Sequence, residues 1–329
     1  MVKFFVAILL ITTAVNVFAT QSFDNCILEK VKTSTKKQLV KDIINICQLE
    51  KEDDFKKESG VISKRIAKER EASQNRHMLT AHKQNYLLPV TYTSNLNLDA
   101  YSFEQDSAEE LKEVEAKLQL SIKTQLNSED IYQKGDGLYF GFTLQSWWQV
   151  YADEISAPFR ETNYQPELFY LTETNYHPFD GNTGLMFGIE HQSNGRTQLL
   201  SRSWNRIYVN FLFEKENFAL SFKPWWRIPE DEKINIGDSE GDDNPDIEDY
   251  MGNFELGLIY RDDEIEYTFK GRNNLKSDNR GAFELGVSFP IWGDLKGYVQ
   301  YFNGYGESLI DYNNSQQRIG IGVLLTDAL

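Results

Sequence analysis

The chain has 329 residues, a formal net charge of -16 and 26% charged residues. That length suits one large domain or a barrel with an appendage, and an acidic chain without a basic stripe argues against a nucleic-acid partner. Aromatics reach 13%, with 17 Tyr and 21 Phe, as in β-rich proteins or a membrane-interface girdle.

Residues 1–19 read as a secretory signal: Lys3 supplies the positive charge, residues 4–15 the apolar core and Val17-Phe18-Ala19 the cleavage site. The apolar run is short for a membrane span, and no later stretch is longer. A helical membrane protein is thereby excluded; a membrane barrel, whose strands only alternate in hydrophobicity, is not. In residues 20–80, Leu39, Ile43 and Cys47, with Val40 and Ile44, recur at helical spacing. We expect a short periplasmic helical hairpin stapled by Cys26 and Cys47. Closing that loop, about 20 residues long, contributes about 3 kcal/mol in the chain-entropy model. A charged helix or linker follows.

From Tyr86 the pattern has period two. Tyr86, Leu88, Val90 and Tyr92 alternate with Leu87, Pro89, Thr91 and Thr93; Val114, Ala116, Leu118, Leu120 and Ile122 alternate with Glu115, Lys117, Gln119, Ser121 and Lys123. Leu138, Phe140, Phe142 and Leu144 run on to Trp148 and Val150. A less regular strand covers 164–172, followed by 185–193, 205–213, 218–226, 254–260, 265–269, 283–289, 295–301 and 318–325. The fold expected is all-β, a 12-stranded antiparallel transmembrane barrel over residues 81–329, the count being even. Short links (214–217, 261–264, 291–294) alternate with longer polar ones (194–204, 227–251, 272–281, 303–317), and 151–163 falls with the long set. Short turns at the periplasmic end and long loops outside are the outer-membrane pattern.

Opposite the apolar faces lie Glu115, Lys117, Gln119, Lys123, Glu190, Glu255, Glu264, Glu266, Lys270 and Glu284. These side chains are costly against lipid and comfortable in a polar lumen, so the apolar face is the lipid face. On the two strands within 185–213, Leu185, Phe187 and Ile189 lead on that face to His191 and Ser193, and Asn205 leads to Ile207, Val209, Phe211 and Phe213. A hairpin brings the three polar groups together near the outer rim, where an acyl ester of a membrane lipid would lie. Ser193 is then a candidate nucleophile, His191 its general base, Asn205 the residue that fixes the imidazole tautomer, and the Gly195 amide an oxyanion donor. Read blandly, Ser193-Asn194-Gly195 is also an ordinary hairpin turn. His177 reads as a turn residue, and His77 and His82 as part of the linker.

The motif at 191–196, HQSNGR, with SRSWNR at 201–206, resembles the outer membrane phospholipase A family, as do QSWWQ (145–149), PFRETNYQPELF (158–169), KPWW (223–226), DDNPDI (242–247), YMG (250–252) and GYGESLIDYN (304–313). The resemblance runs from Tyr86 to the end of the chain. It implies a 12-stranded barrel that hydrolyses the sn-1 and sn-2 acyl esters of phospholipids as a calcium-dependent, reversible homodimer. By motif position Ser193, His191 and Asn205 form the triad, and Ser156, Arg196 (through its carbonyl), Ser201 and Asp243 hold calcium. This sequence departs from the pattern at Gln198 and Leu200, where an acidic residue is expected, at Leu144, where a polar residue of the dimer interface is expected, and in a longer acidic loop at 228–241. Two rival readings remain: a non-enzymatic barrel, pore or adhesin, and an enzyme that deacylates lipid A.

Overall fold

A computed structural model describes residues 30, 32, 60, 62, 79–104, 109–127, 129–133, 135–235, 238 and 240–327. The chain divides into two units, Met1–Asp54 and Phe55–Leu329. In the first, Lys30 and Lys32 are helical. The signal, the hairpin with its Cys26–Cys47 pairing, and His77 lie outside the described residues.

In the second unit a two-residue piece, β1 (Thr80–Ala81), precedes twelve longer strands: β2 (Asn85–Thr93), β3 (Val114–Gln125), β4 (Gly137–Trp148), β5 (Phe159–Thr174), β6 (Asn182–Ser193), β7 (Ser203–Lys215), β8 (Phe218–Ile228), β9 (Phe254–Asp262), β10 (Ile265–Asn273), β11 (Gly281–Trp292), β12 (Leu295–Tyr305) and β13 (Ser315–Thr326). Sequence neighbours pair antiparallel throughout, and β13 pairs with β2, so β2–β13 close into a 12-stranded barrel. β1 extends the line of β2 along β3. Closure satisfies every strand edge, which hydrocarbon demands because it offers no hydrogen-bond partners.

The two faces separate as the alternation predicts. Ile122, Phe140, Phe187, Ile189, Ile207 and Phe211 are exposed on the outer wall, while Glu115, Lys117, Arg160, Glu190 and Arg318 are buried inside. β2 departs from the expected single phase. Tyr86 and Leu88 are buried, whereas Val90 and Tyr92 are exposed. The register with β3 shifts between Leu88 and Thr91. Pro89 sits within that irregularity, lacking the N–H a regular ladder needs, and a Cβ on the facing Gly322 would come within 2.1 Å of the Leu87 carbonyl. Glu264, expected in the lumen, is instead exposed in the turn between β9 and β10, where no strand period sets its face.

Loop parity holds less strictly than the sequence suggests, since residues 126–136 and 175–181 form sizeable links at the short-turn end. The first is built around Asp136, whose carboxylate accepts the N–H groups of Ile131 (2.6 Å), Tyr132 (2.7 Å) and Gln133 (3.0 Å) and the Tyr170 hydroxyl (2.5 Å). Burial opposes its charge, yet these four donors hold the carboxyl below the ordinary aspartate range. His177 is a turn residue, its Nδ1 3.2 Å from the Gly181 carbonyl. His82 is not a linker residue: its ring stacks on Phe169 at 5.1 Å and its Nε2 lies 2.7 Å from Glu167 inside the barrel.

The lumen is crossed by a chain of ion pairs. Arg160 binds Glu115 (2.9 Å) and Asp311 (3.1 Å), Arg318 binds Glu115 (2.8 Å) and Glu307 (2.7 Å), and Lys117 binds Glu307 (2.9 Å). Glu307 and Asp311 belong to loop 306–314, which turns inward with Leu309 and Ile310 only 1% exposed. Motif 304–313 is therefore a plug that fastens β3, β5 and β13 to one loop.

Candidate active site

His191 and Ser193 end β6, and Asn205 lies near the start of β7. The register sets His191 opposite Asn205 and Ser193 opposite Ser203. His191 Nδ1 and Asn205 Oδ1 are 2.9 Å apart. Next to them, Ile189 and Ile207 are 48% and 49% exposed, which places the pair on the apolar outer wall. Ser193 stands two residues beyond His191 on the same face, about 6–7 Å away at Cα by strand geometry. Its hydroxyl makes no hydrogen bond among the described residues, so the third contact expected of the triad is not formed here.

The alternate side chains of the same hairpin lock it from within. Glu190 pairs with Arg206 and, at 2.8 Å, with Lys223. Gln192 Oε1 accepts the Trp204 indole N–H at 2.9 Å, and the Arg206 guanidinium stacks on the Trp204 ring at 3.8 Å. Trp204 and Trp225 meet edge to face at 6.0 Å. Trp204 of SRSWNR and Trp225 of KPWW are thus interior braces, whereas Trp226, paired in register with Ile207, is exposed on the outer wall.

The loop 194–202 is organised by Asn194, which the sequence offered only as a turn residue. Its Oδ1 accepts the N–H groups of Arg196 (3.2 Å) and Arg202 (3.0 Å), and its Nδ2 donates to the Leu200 carbonyl (2.8 Å). Gly195 follows with φ +63, a conformation open to glycine. Its N–H has no protein acceptor among the described residues, which suits an oxyanion donor. Leu200, where an acid was expected, is buried with Tyr101 and Ile310. An apolar contact there ties three long loops together, where an acid would need a cation.

Of the four residues assigned to calcium, Ser201 and Asp243 meet: the Ser201 hydroxyl donates to Asp243 Oδ2 at 2.7 Å, and Ser203 lies 3.5 Å from the same oxygen. Lys233 forms an ion pair with Asp243, so this carboxylate already attracts a cation. The Arg196 side chain donates to the Arg160 carbonyl at 2.6 Å. Ser156 (φ 63) makes no hydrogen bond to Ser201 or Asp243 among the described residues. No group of three or more His, Cys, Asp or Glu gathers as a metal cluster among the described residues. A cation here would rest on one carboxylate and neutral oxygens, a hard donor set suited to a weakly held calcium ion. One residue escaped the sequence reading altogether: Glu230, whose Oε1 accepts from Asn205 Nδ2 at 2.9 Å. It lies 25 positions away, and no local pattern marks it.

The phospholipase A1 family model matches residues 62–325. The chain belongs to the phospholipase A1 family. Phospholipase A1 of Escherichia coli strain K12, a member of that family, is 40% identical over 264 residues, 80% of this chain and 86% of that protein. Among solved structures, outer membrane phospholipase A from E. coli aligns with a TM-score of 0.72 at 38% identity, covering 80% of this chain and 98% of that one. A further structure of that E. coli protein is an active-site mutant in which an asparagine is replaced by alanine. The outer membrane phospholipase dimer of Salmonella typhi with bound calcium aligns with a TM-score of 0.70 at 38% identity, over 78% of this chain and 94% of that one.

Proposed function

We propose that this chain is an outer-membrane esterase that hydrolyses the sn-1 and sn-2 acyl esters of phospholipids and lysophospholipids with a Ser193–His191–Asn205 triad on the lipid-facing wall. The observation that carries this reading is the 2.9 Å contact of His191 with Asn205 on the apolar outer face, with Ser193 next on that face. The Asn205 carbonyl accepts the Nδ1 proton and leaves Nε2 free as base. Nε2 takes the Ser193 proton as the hydroxyl attacks the ester carbonyl, then returns it to the departing alcohol; water repeats the cycle on the acyl-enzyme. The Gly195 N–H donates to the oxyanion. Substrate reaches these groups sideways from the bilayer, so the reaction needs no aqueous cleft.

Asp243 and Ser201, with the Arg196 carbonyl and Ser156, would hold calcium. When bound, it supplies positive charge that a neutral Asn cannot, stabilising the developing anion. The calcium-bound relative is a dimer, and we extend that assembly to this chain, with the long loops and the site at the extracellular rim. Residues 1–19 serve as the export signal and 20–80 as a periplasmic segment, probed by the size of the mature protein.

The test is fatty-acid release from detergent-dispersed phosphatidylethanolamine, with calcium or chelator, for wild type and Ser193→Ala. Calcium-dependent release lost in the variant supports the reading. Undiminished release by Ser193→Ala removes the triad, ion conductance without hydrolysis favours a pore, and hydroxy fatty acids from lipopolysaccharide alone favour a lipid A deacylase.

A further inference from the structure

A carboxamide has two ends of nearly equal shape and opposite chemistry, one accepting and one donating. Asn205 serves His191 only if its oxygen faces Nδ1. Turned over, it would donate to Nδ1, the ring proton would move to Nε2, and the imidazole could no longer accept the Ser193 proton. Neither the strand register nor the apolar face distinguishes these two orientations. The structure supplies the distinction from the loop after β8, where Glu230 Oε1 lies 2.9 Å from Asn205 Nδ2 while Asn205 Oδ1 lies 2.9 Å from His191 Nδ1. A carboxylate only accepts, so it binds the amide end and leaves the oxygen for the imidazole.

We propose that Glu230 is a positioning residue that fixes the orientation of Asn205 and, through it, the catalytic tautomer of His191. The inference rests on the triad reading above. Glu230 touches neither Ser193 nor the ester; it acts through one carboxamide. The loop holds it firmly: Arg227, the penultimate residue of β8, pairs with Asp242 at 2.5 Å, and the Asp242 N–H donates to the Asp231 carbonyl at 2.8 Å. Both ends of the loop are therefore tied beside the hairpin.

The test compares full-length wild type, Glu230→Ala, Glu230→Gln and Ser193→Ala, each refolded in detergent with calcium. Two readouts are taken: kcat and KM for phospholipid hydrolysis, and the 15N chemical shifts of His191, assigned by its loss in His191→Gln. Glu230→Ala is expected to lower kcat about 10-fold, the scale of losing an outer orienting partner, with KM nearly unchanged and the His191 spectrum shifted from the Nδ1–H form toward a tautomer mixture. Glu230→Gln retains an accepting oxygen and is expected to recover most of kcat and the Nδ1–H form. Unchanged kcat and tautomer in Glu230→Ala overturn the proposal. A fall in kcat with no change of tautomer and no rescue by Gln also overturns it, assigning Glu230 a structural role in the loop. Full activity in Ser193→Ala would instead remove the triad itself, and this proposal with it, whereas an inactive Ser193→Ala beside an unaffected Glu230→Ala removes this proposal alone.

Discussion

Gly195 is the residue where backbone conformation and proposed chemistry coincide. Its φ of +63 lies in the left-handed region open to glycine, and a Cβ at this position would lie 3.2 Å from the Tyr164 ring. Gly195→Ala must therefore either strain or rotate the turn. The expected outcome is a fall in kcat of about 100-fold, the scale of one lost oxyanion donor, with the barrel's folded band on gels unchanged. Normal kcat in that variant would move the oxyanion donor elsewhere. The shared face of His191, Ser193 and Asn205, the residues proposed as a triad, was legible because period two fixes which face a side chain takes, and the hairpin register sets His191 opposite Asn205. Asn194 and Glu230 were not legible as partners, because their roles depend on loop contacts that no strand period encodes.

At the scale of elements, the loops carry what the strands leave undetermined. Lys233, from the acidic loop after β8, is paired with Asp243, the one carboxylate of the proposed calcium site. A tethered ammonium and calcium compete for the same oxygens, so Lys233→Ala is expected to tighten calcium binding several-fold in isothermal titration; unchanged affinity would place the ion elsewhere. Loop 306–314 is fastened through Asp311 to Arg160, both essentially without exposure. Removing one partner of a buried pair leaves charge uncompensated, and Arg160→Ala is expected to cost about 3–5 kcal/mol in urea unfolding. At the opposite end, Asp136 has a folded-state carboxyl below its ordinary value. Its contribution is therefore complete above the ordinary aspartate range, about 3.9, and is lost as pH falls through the lowered value. Asp136→Asn is expected to destabilise the barrel at neutral pH and to flatten the acid limb of its stability curve. The sequence showed strand number and faces because alternation is a local signal. It missed the inward turn of motif 304–313, whose apolar and acidic residues read as any polar loop, and the phase change in β2, which depends on how Pro89 pairs.

At the scale of the whole barrel, an apolar wall around a charged lumen inverts the arrangement of a water-soluble domain, as suits a wall with lipid or detergent outside. Phe211, 49% exposed in the middle of β7, faces that solvent. Phe211→Lys is expected to cost about 2–4 kcal/mol in bilayer folding, whereas a soluble barrel would tolerate it. The same inversion would give the proposed chemistry its setting, since the proposed triad on this wall would meet ester carbonyls where lipids already are. The most direct test is mass spectrometry of the bilayer-reconstituted protein after reaction with a long-chain alkyl fluorophosphonate in calcium. The prediction is a single adduct on Ser193, formed in step with loss of hydrolysis and absent from His191→Ala. An adduct on another residue, or full inactivation with Ser193 unmodified, would contradict it.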